Sequence, residues 1–144
     1  MLLQGKKAIV TGGTRGIGFA VVQTFLRNGA SVALFGSRQE TVDKALAALK
    51  EENPDWEVIG MAPDLTDYAA VDAAFAEVEK AFGRIDILVN NAGISAREPL
   101  YDYTPEAFEK IMRLNVSAVF NGCRAAAPRM KAQGGGSIIN TSSM

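Results

Sequence analysis

Thr11-Gly12-Gly13-Thr14-Arg15-Gly16-Ile17-Gly18 decides how the rest of the chain is read. The apolar run Ala8-Ile9-Val10 comes just before it and reads as a short buried strand. After it, Ile17, Ala20, Val21, Thr24 and Phe25 recur at helical spacing and predict one apolar helix face. A glycine-rich turn between a strand and a helix is the setting in which such a motif signals phosphate binding. Glycines let the backbone turn tightly and approach a diphosphate with no Cβ between. The first amides of a helix have no partner within it, and the helix dipole favours an anion there. Counted from Gly12 the spacing is Gly-x-x-x-Gly-x-Gly, which differs from the Gly-x-Gly-x-x-Gly of the dinucleotide fingerprint. For this motif alone, a purely structural glycine turn is the competing reading.

Outward from this stretch, strands and helices alternate to the end of the chain. Gly29 closes the first helix, and Ser31–Phe35 is a second apolar strand. Residues 39 to about 53 are predicted helical, with Val42, Ala45, Leu46 and Leu49 on one face. Asn53-Pro54-Asp55 stops that helix, because proline cannot continue it. Residues 57–61 form a third strand. Thr66 or Asp67 caps the next helix, whose stripe is Val71, Ala74, Phe75, Val78 and Phe82, and Gly83 ends it. Residues 85–89 are a fourth, strongly apolar strand leading into Asn90-Asn91-Ala92-Gly93. A polar loop then runs to the N-cap and first-turn pair Thr104-Pro105. One long helix follows to about Lys131, bent near Pro128. Gly134-Gly135-Gly136 is a turn, and Ser137–Asn140 a fifth strand.

Five short apolar strands separated by helices argue for a parallel sheet covered on both faces. Right-handed crossovers give the order 3-2-1-4-5, with a ligand crevice between strands 1 and 4. The glycine turn and Asn90-Asn91-Ala92-Gly93 both open into that crevice.

The 144 residues fit one domain, and the apolar fraction of 48% is that of a globular α/β protein. No apolar run reaches the length of a membrane span, and the N-terminal residues lack a signal-peptide core. The lone Cys123 excludes an internal disulfide and suits a reducing compartment, so a cytoplasmic location is expected. The absence of histidine removes His-based acid/base chemistry and the usual zinc ligands, and no metal site is expected. A net charge of −1 without a basic run gives no footprint for nucleic acid or an anionic membrane.

Taken together, the glycine stretch from Thr11 to Gly18, Asp64-Leu65, Asn90-Asn91-Ala92-Gly93, Asn115 and Ser142-Ser143 resemble the short-chain dehydrogenase/reductase family. The resemblance covers essentially the whole chain, with the motifs in the family's order and spacing. It implies a doubly wound, three-layer αβα (Rossmann) fold. It also implies a nicotinamide-dependent oxidoreductase interconverting a ketone or aldehyde and an alcohol, of the carbonyl reductase, 3-oxoacyl reductase or hydroxysteroid dehydrogenase kind. The expected partners are a small carbonyl or alcohol substrate and further copies of the same chain, in a dimer or tetramer of the full-length enzyme.

By that resemblance Gly12, Thr14, Arg15, Gly16, Ile17 and Gly18 bind the cofactor, with the glycine turn cradling its diphosphate. Asp64 and Leu65 lie beside the adenine, while Asn91, Ala92 and Gly93, with Asn90, border the cofactor and steady the sheet. Asn115 falls on the stripe Phe108, Ile111, Asn115, Val119, so its amide is expected to point at the core. There it either ties helix to sheet or, as the resemblance implies, holds a water in a catalytic proton relay. Ser143, just past the fifth strand, is implied to orient the substrate oxygen, with Ser142 the neighbouring choice and a turn serine the plain alternative. Cys123, Ile111, Met112 and Val119 read as core. Arg97, Glu98, Tyr101 and Tyr103 belong to a loop overhanging the crevice.

Cofactor choice rests on the end of the second strand, where NAD enzymes place an acid and NADP enzymes place positive charge. Here Gly36 is followed by Ser37 and Arg38, and Arg15 sits in the glycine turn. With no carboxylate and with two guanidiniums to meet a 2′-phosphate, NADP(H) is expected; a solvated loop arginine is the alternative for Arg38. The family's general acid/base is a Tyr in a Tyr-x-x-x-Lys motif downstream of the serine, and none of Tyr68, Tyr101 and Tyr103 has Lys four residues on. The chain is therefore expected to be the N-terminal part of a longer enzyme, inactive alone, with the last strands and helices missing and strand 5 an exposed edge. The competing reading is a nucleotide-binding module or fragment without catalysis.

Overall fold

Five parallel strands pair in the order β3-β2-β1-β4-β5, as the crossover argument requires. The computed structural model describes residues 1–143. In chain order, β1 (Lys7–Thr11) leads to α1 (Gly16–Arg27), β2 (Ser31–Phe35) to α2 (Gln39–Glu52), and β3 (Val58–Met61) to α3 (Tyr68–Phe82). After β4 (Ile87–Asn90), a short 3-10 turn at Leu100–Asp102 precedes α4 (Pro105–Met112), a π turn at Arg113–Ser117, α5 (Ala118–Ala132) and β5 (Ser137–Asn140).

The central strands are buried because helices cover both faces. Alternation along β1 sends Ala8 and Val10 into one apolar layer with Val22, Leu26, Val42 and Leu49. It sends Ile9 into the other, with Phe75, Val78, Leu88 and Ala126. In that second layer Phe35 and Phe75 meet edge to face, with ring centroids 5.9 Å apart. Such a pair adds about 1 kcal/mol beyond the area it buries. α3 starts at Asp67, whose carboxylate accepts from the Ala69 N–H at 3.0 Å, and Thr104 caps α4 through Ala107 N–H at 3.1 Å. Gly83 takes a left-handed φ of 85° to stop α3.

Three expectations shift. The buried face of α1 is Gly18, Val22 and Leu26, one residue round from the predicted stripe, and Ile17 is 69% exposed. Residue 17 lies in the first turn, where the chain is still emerging from the glycine loop and has no layer beneath it. The long helix continues through Pro128 and is interrupted instead at the π turn, which inserts an extra residue per turn and shifts the phase of everything before it. In consequence Phe108, Met112, Val116 and Phe120 form an exposed stripe, and Asn115 is exposed rather than aimed at the core. β5 is exposed along its whole length, as an edge strand beside β4. Among the described residues no helix is long and apolar enough to cross a membrane.

Candidate functional site

At the carboxyl ends of β1, β2, β3 and β4 a cavity of about 500 Å³ opens between the glycine turn and the loop after β4. This volume lies in the range of small-molecule sites, and this edge of a doubly wound sheet is where such sites form. Gly12, Thr14, Arg15 and Gly16 line one wall, Ser37 the end of β2, Asp64 and Leu65 the end of β3, and Asn91, Ala92 and Gly93 the opposite wall.

The two walls are joined at the strand ends. Thr11 Oγ1 accepts from the backbone N–H of Asn91 and of Ala92, both at 3.0 Å. Asn91 Nδ2 in turn donates to the Gly12 carbonyl at 3.4 Å. The glycines are required by contact as well as by torsion. Gly12 has φ of +63°, and a Cβ there would lie 2.9 Å from Ala92 Cα. A Cβ on Gly18 would overlap the Gly12 carbonyl oxygen, so α1 starts as close to the turn as backbone permits. The turn is also tied to β2 by Gly13 N–H donating to the Phe35 carbonyl at 3.0 Å.

On the β3 side, Asp64 Oδ1 accepts from the Thr66 hydroxyl at 2.7 Å and the Thr66 N–H at 3.0 Å. These bonds, the hydroxyl first, hold the Asp64 carboxyl below its usual pKa against a smaller opposing effect of burial. On the β4 side, buried Asn90 donates to Asn140 Oδ1 at 2.9 Å, so the last paired residues of β4 and β5 are bonded through their side chains as well.

Asn115, in the π turn, clasps one backbone unit of the β4 loop. Its Nδ2 donates to the Ile94 carbonyl at 2.7 Å, and its Oδ1 accepts from Ile94 N–H at 2.8 Å. The amide predicted to be buried is therefore exposed and bonded to Ile94 through both its oxygen and its nitrogen, with the oxygen 3.1 Å from where a Gly93 Cβ would stand. It sits at the rim, and Leu114 rather than Asn115 lines the cavity.

The structure thus brings together Gly12, Thr14, Arg15, Gly16, Ser37, Asp64, Leu65, Asn91, Ala92 and Gly93. Ile17, Gly18, Arg38, Asn115 and Ser143 lie outside the lining. Arg38 is the N-cap residue of α2, where its carbonyl accepts from Thr41 Oγ1 at 2.9 Å. Ser143 is exposed beyond β5. Sequence reasoning missed Thr11 as the link between the walls, and missed Phe35, Ala62, Pro63, Ile94 and Leu114 in the lining. Each of those five lies within two residues of a motif position, and adjacency was the only signal available.

Known proteins show the same arrangement of sequence. The profile of the short chain dehydrogenase family matches residues 6–144. A 3alpha-hydroxysteroid dehydrogenase of Mediterraneibacter gnavus is 61% identical over 144 residues, covering 100% of this chain and 58% of its own length. An NADP-dependent (R)-specific alcohol dehydrogenase of Lentilactobacillus kefiri is 40% identical over 143 residues, covering 99% of this chain and 56% of its own length. Among solved structures, NAD+-bound xylitol dehydrogenase superposes with a TM-score of 0.93 at 33% identity, covering 100% of this chain and 55% of that one. The chain spans a little over half the length of the curated relatives it matches. Sequence profile, relatives and sheet order agree: this chain belongs to the short chain dehydrogenase family.

Proposed function

We propose that residues 1–144 form the dinucleotide-binding domain of a longer NADP(H)-dependent oxidoreductase that interconverts a ketone or aldehyde with a secondary or primary alcohol. The observation that carries this reading is the cavity itself, with a glycine turn on one wall and Asn91-Ala92-Gly93 on the other. Side chains at Gly12 and Gly18 are excluded by contact with backbone, so nothing larger than hydrogen stands between the turn and a diphosphate. In this reading Gly12, Thr14, Gly16, Ile17 and Gly18 hold the diphosphate, Arg15 is left for the adenosine phosphate, Asp64 and Leu65 flank the adenine, and Asn91, Ala92 and Gly93 border the ribose.

The preference for NADP(H) rests on charge. Ser37 and Arg15 line the cavity and no carboxylate follows β2, so a 2′-phosphate meets a hydroxyl and a guanidinium rather than a repelling acid. Arg38 is one residue beyond and reaches in only if its side chain turns from solvent.

When bound, the nicotinamide supplies or accepts the hydride. The chain's own part is to orient and to exclude water. Ser143 donates to the substrate oxygen, and Asn115, locked to Ile94, holds a water of the proton relay at the rim. The proton itself is assigned to a Tyr paired with Lys, since none of this chain's three tyrosines lines the cavity. The substrate class to test first is a hydroxysteroid and its ketone, given the 61% identity to a 3alpha-hydroxysteroid dehydrogenase. We place the enzyme in the cytoplasm as a homo-oligomer, in keeping with its lone cysteine and the exposed apolar stripe on α4 and α5.

The deciding experiment is NADPH oxidation by the full-length gene product with a 3-ketosteroid and, in parallel, a small ketone. Turnover with NADPH and not with NADH supports the proposal. Equal use of NADH overturns the cofactor assignment, and no turnover with any carbonyl overturns the activity.

A further inference from the structure

One turn of α5 reaches both the loop after β3 and the end of β4, and its first residue is a polar side chain that the proposed reaction does not use. Asn121 is only 8% exposed although its side chain is a polar amide. Its Nδ2 donates to the Leu65 carbonyl at 2.9 Å, across 56 residues of sequence. Next to it, Gly122 leaves room for Asn90, whose Oδ1 would stand 2.5 Å from a Cβ. Cys123 Sγ lies 3.6 Å from Asn90 Nδ2.

A buried amide is retained where its hydrogen bond fixes something, because an apolar side chain packs there without a desolvation cost. Here the fixed element is the Asp64-Leu65 wall. Asp64 braces that wall from inside through Thr66, and Asp67 N–H donates to the Asp64 carbonyl at 3.1 Å. These bonds shape the turn but do not fix where it stands relative to the sheet. Asn121 does, from a helix that also carries the π turn and the Asn115 clasp on Ile94. The same continuous helical stretch therefore sets the position of both the β3 wall and the β4 wall.

We propose that Asn121 is a positioning residue for the adenosine end of the dinucleotide, acting through the Leu65 carbonyl. The inference rests on the reading of the cavity as a dinucleotide site. Removing the donor frees the wall to shift, and binding must then restrain it, so affinity falls.

The test measures dissociation constants of the purified chain for NADPH and for adenosine 2′,5′-bisphosphate, which reports on the adenosine end alone. Asn121→Leu removes the donor at similar volume, and Asn121→Asp does so with smaller packing change and serves where the leucine variant fails to fold. The expected result is a rise of about tenfold in both constants, by a common factor, the size of one lost hydrogen bond. Asn121→Gln, which keeps a donor, recovers part of the loss. Folded variants that bind both ligands as tightly as the unaltered chain overturn the inference, as does weakening confined to NADPH. If the unaltered chain binds neither ligand, the dinucleotide reading itself has failed.

Discussion

Thr11 and Asn91 are 80 residues apart in sequence, yet the Thr11 hydroxyl oxygen accepts the Asn91 backbone N–H at 3.0 Å and the adjoining Ala92 N–H at the same distance. A single side chain at the end of β1 thereby satisfies two backbone donors at the end of β4. Thr11→Val keeps the shape and removes the acceptor, leaving both donors without it. The expected cost is about 2 kcal/mol of stability, measured by urea unfolding, with Thr11→Ser close to the unaltered chain. A valine variant as stable as the threonine chain contradicts the assignment.

Gly18 and Gly16 share one turn but fail for different reasons when a methyl is added. At Gly18 the Cβ overlaps the Gly12 carbonyl and stands 2.7 Å from Asn91 Nδ2, so α1 must move away from the turn. At Gly16 the Cβ meets open space, and the penalty comes only from φ of +57°. Gly16→Ala is expected to cost about 1–2 kcal/mol. Gly18→Ala costs about 3 kcal/mol and deforms the cavity, so its NADPH binding falls further than its melting temperature alone accounts for. Equal effects on binding from the two variants count against the close-packed start of α1.

The proposed preference for NADP(H) rests on Arg15 and Ser37, which both line the cavity. Arg15→Ala is expected to weaken NADPH about tenfold and NADH little, the size of a lost charge-assisted hydrogen bond. Ser37→Asp puts an acid at the end of β2 and should turn the preference towards NADH. Calorimetric titration of each variant with both dinucleotides reads the ratio. A ratio unchanged by either substitution removes these residues from the assignment.

Acid sensitivity of the β3 wall follows from Asp64. Its pKa is depressed in the folded chain by the Thr66 hydroxyl and amide, so the folded state favours the carboxylate. The stabilisation is present above the unfolded carboxyl value near about 3.9 and is lost as pH falls through the lower folded value. Thr66→Val removes the stronger of the two bonds and should raise the Asp64 pKa towards its ordinary value, followed by NMR of the carboxyl carbon. A titration curve indifferent to Thr66 would show that the hydroxyl does not hold this carboxylate.

The sheet was legible because its signals are local. Val71, Ala74, Phe75 and Val78 all face the core at the predicted spacing, and β2 and β5 fall where expected. The glycine turn was legible because its chemistry is written in a few adjacent residues. Asn115 was not. Phe108, Ile111, Asn115 and Val119 do recur at helical spacing, but periodicity names a stripe without saying what lies against it. A π turn resets the phase at Arg113, and Phe108 ends 57% exposed. Thr11 and Asn121 escaped for another reason. Their roles are hydrogen bonds to backbone 56 to 81 residues away, and no side-chain pattern along the chain records a backbone partner.

Binding and turnover are expected to separate in these 144 residues. None of the three tyrosines lines the cavity. Tyr68 lies under the Arg124 guanidinium at 4.0 Å from the ring centre, Tyr103 donates to the Ala96 carbonyl at 2.9 Å, and Tyr101 is 87% exposed. None is followed four residues later by a lysine to lower its pKa, and the sequence holds no histidine to replace it. A carbonyl oxygen receiving a hydride needs a proton from a group within hydrogen-bond reach, and no side chain of this set offers one. The purified chain should therefore bind NADPH yet leave its absorbance unchanged when a ketone is added. Ketone-dependent loss of that absorbance, at any rate above buffer, would place the proton donor within residues 1–144 and require a different assignment of the acid.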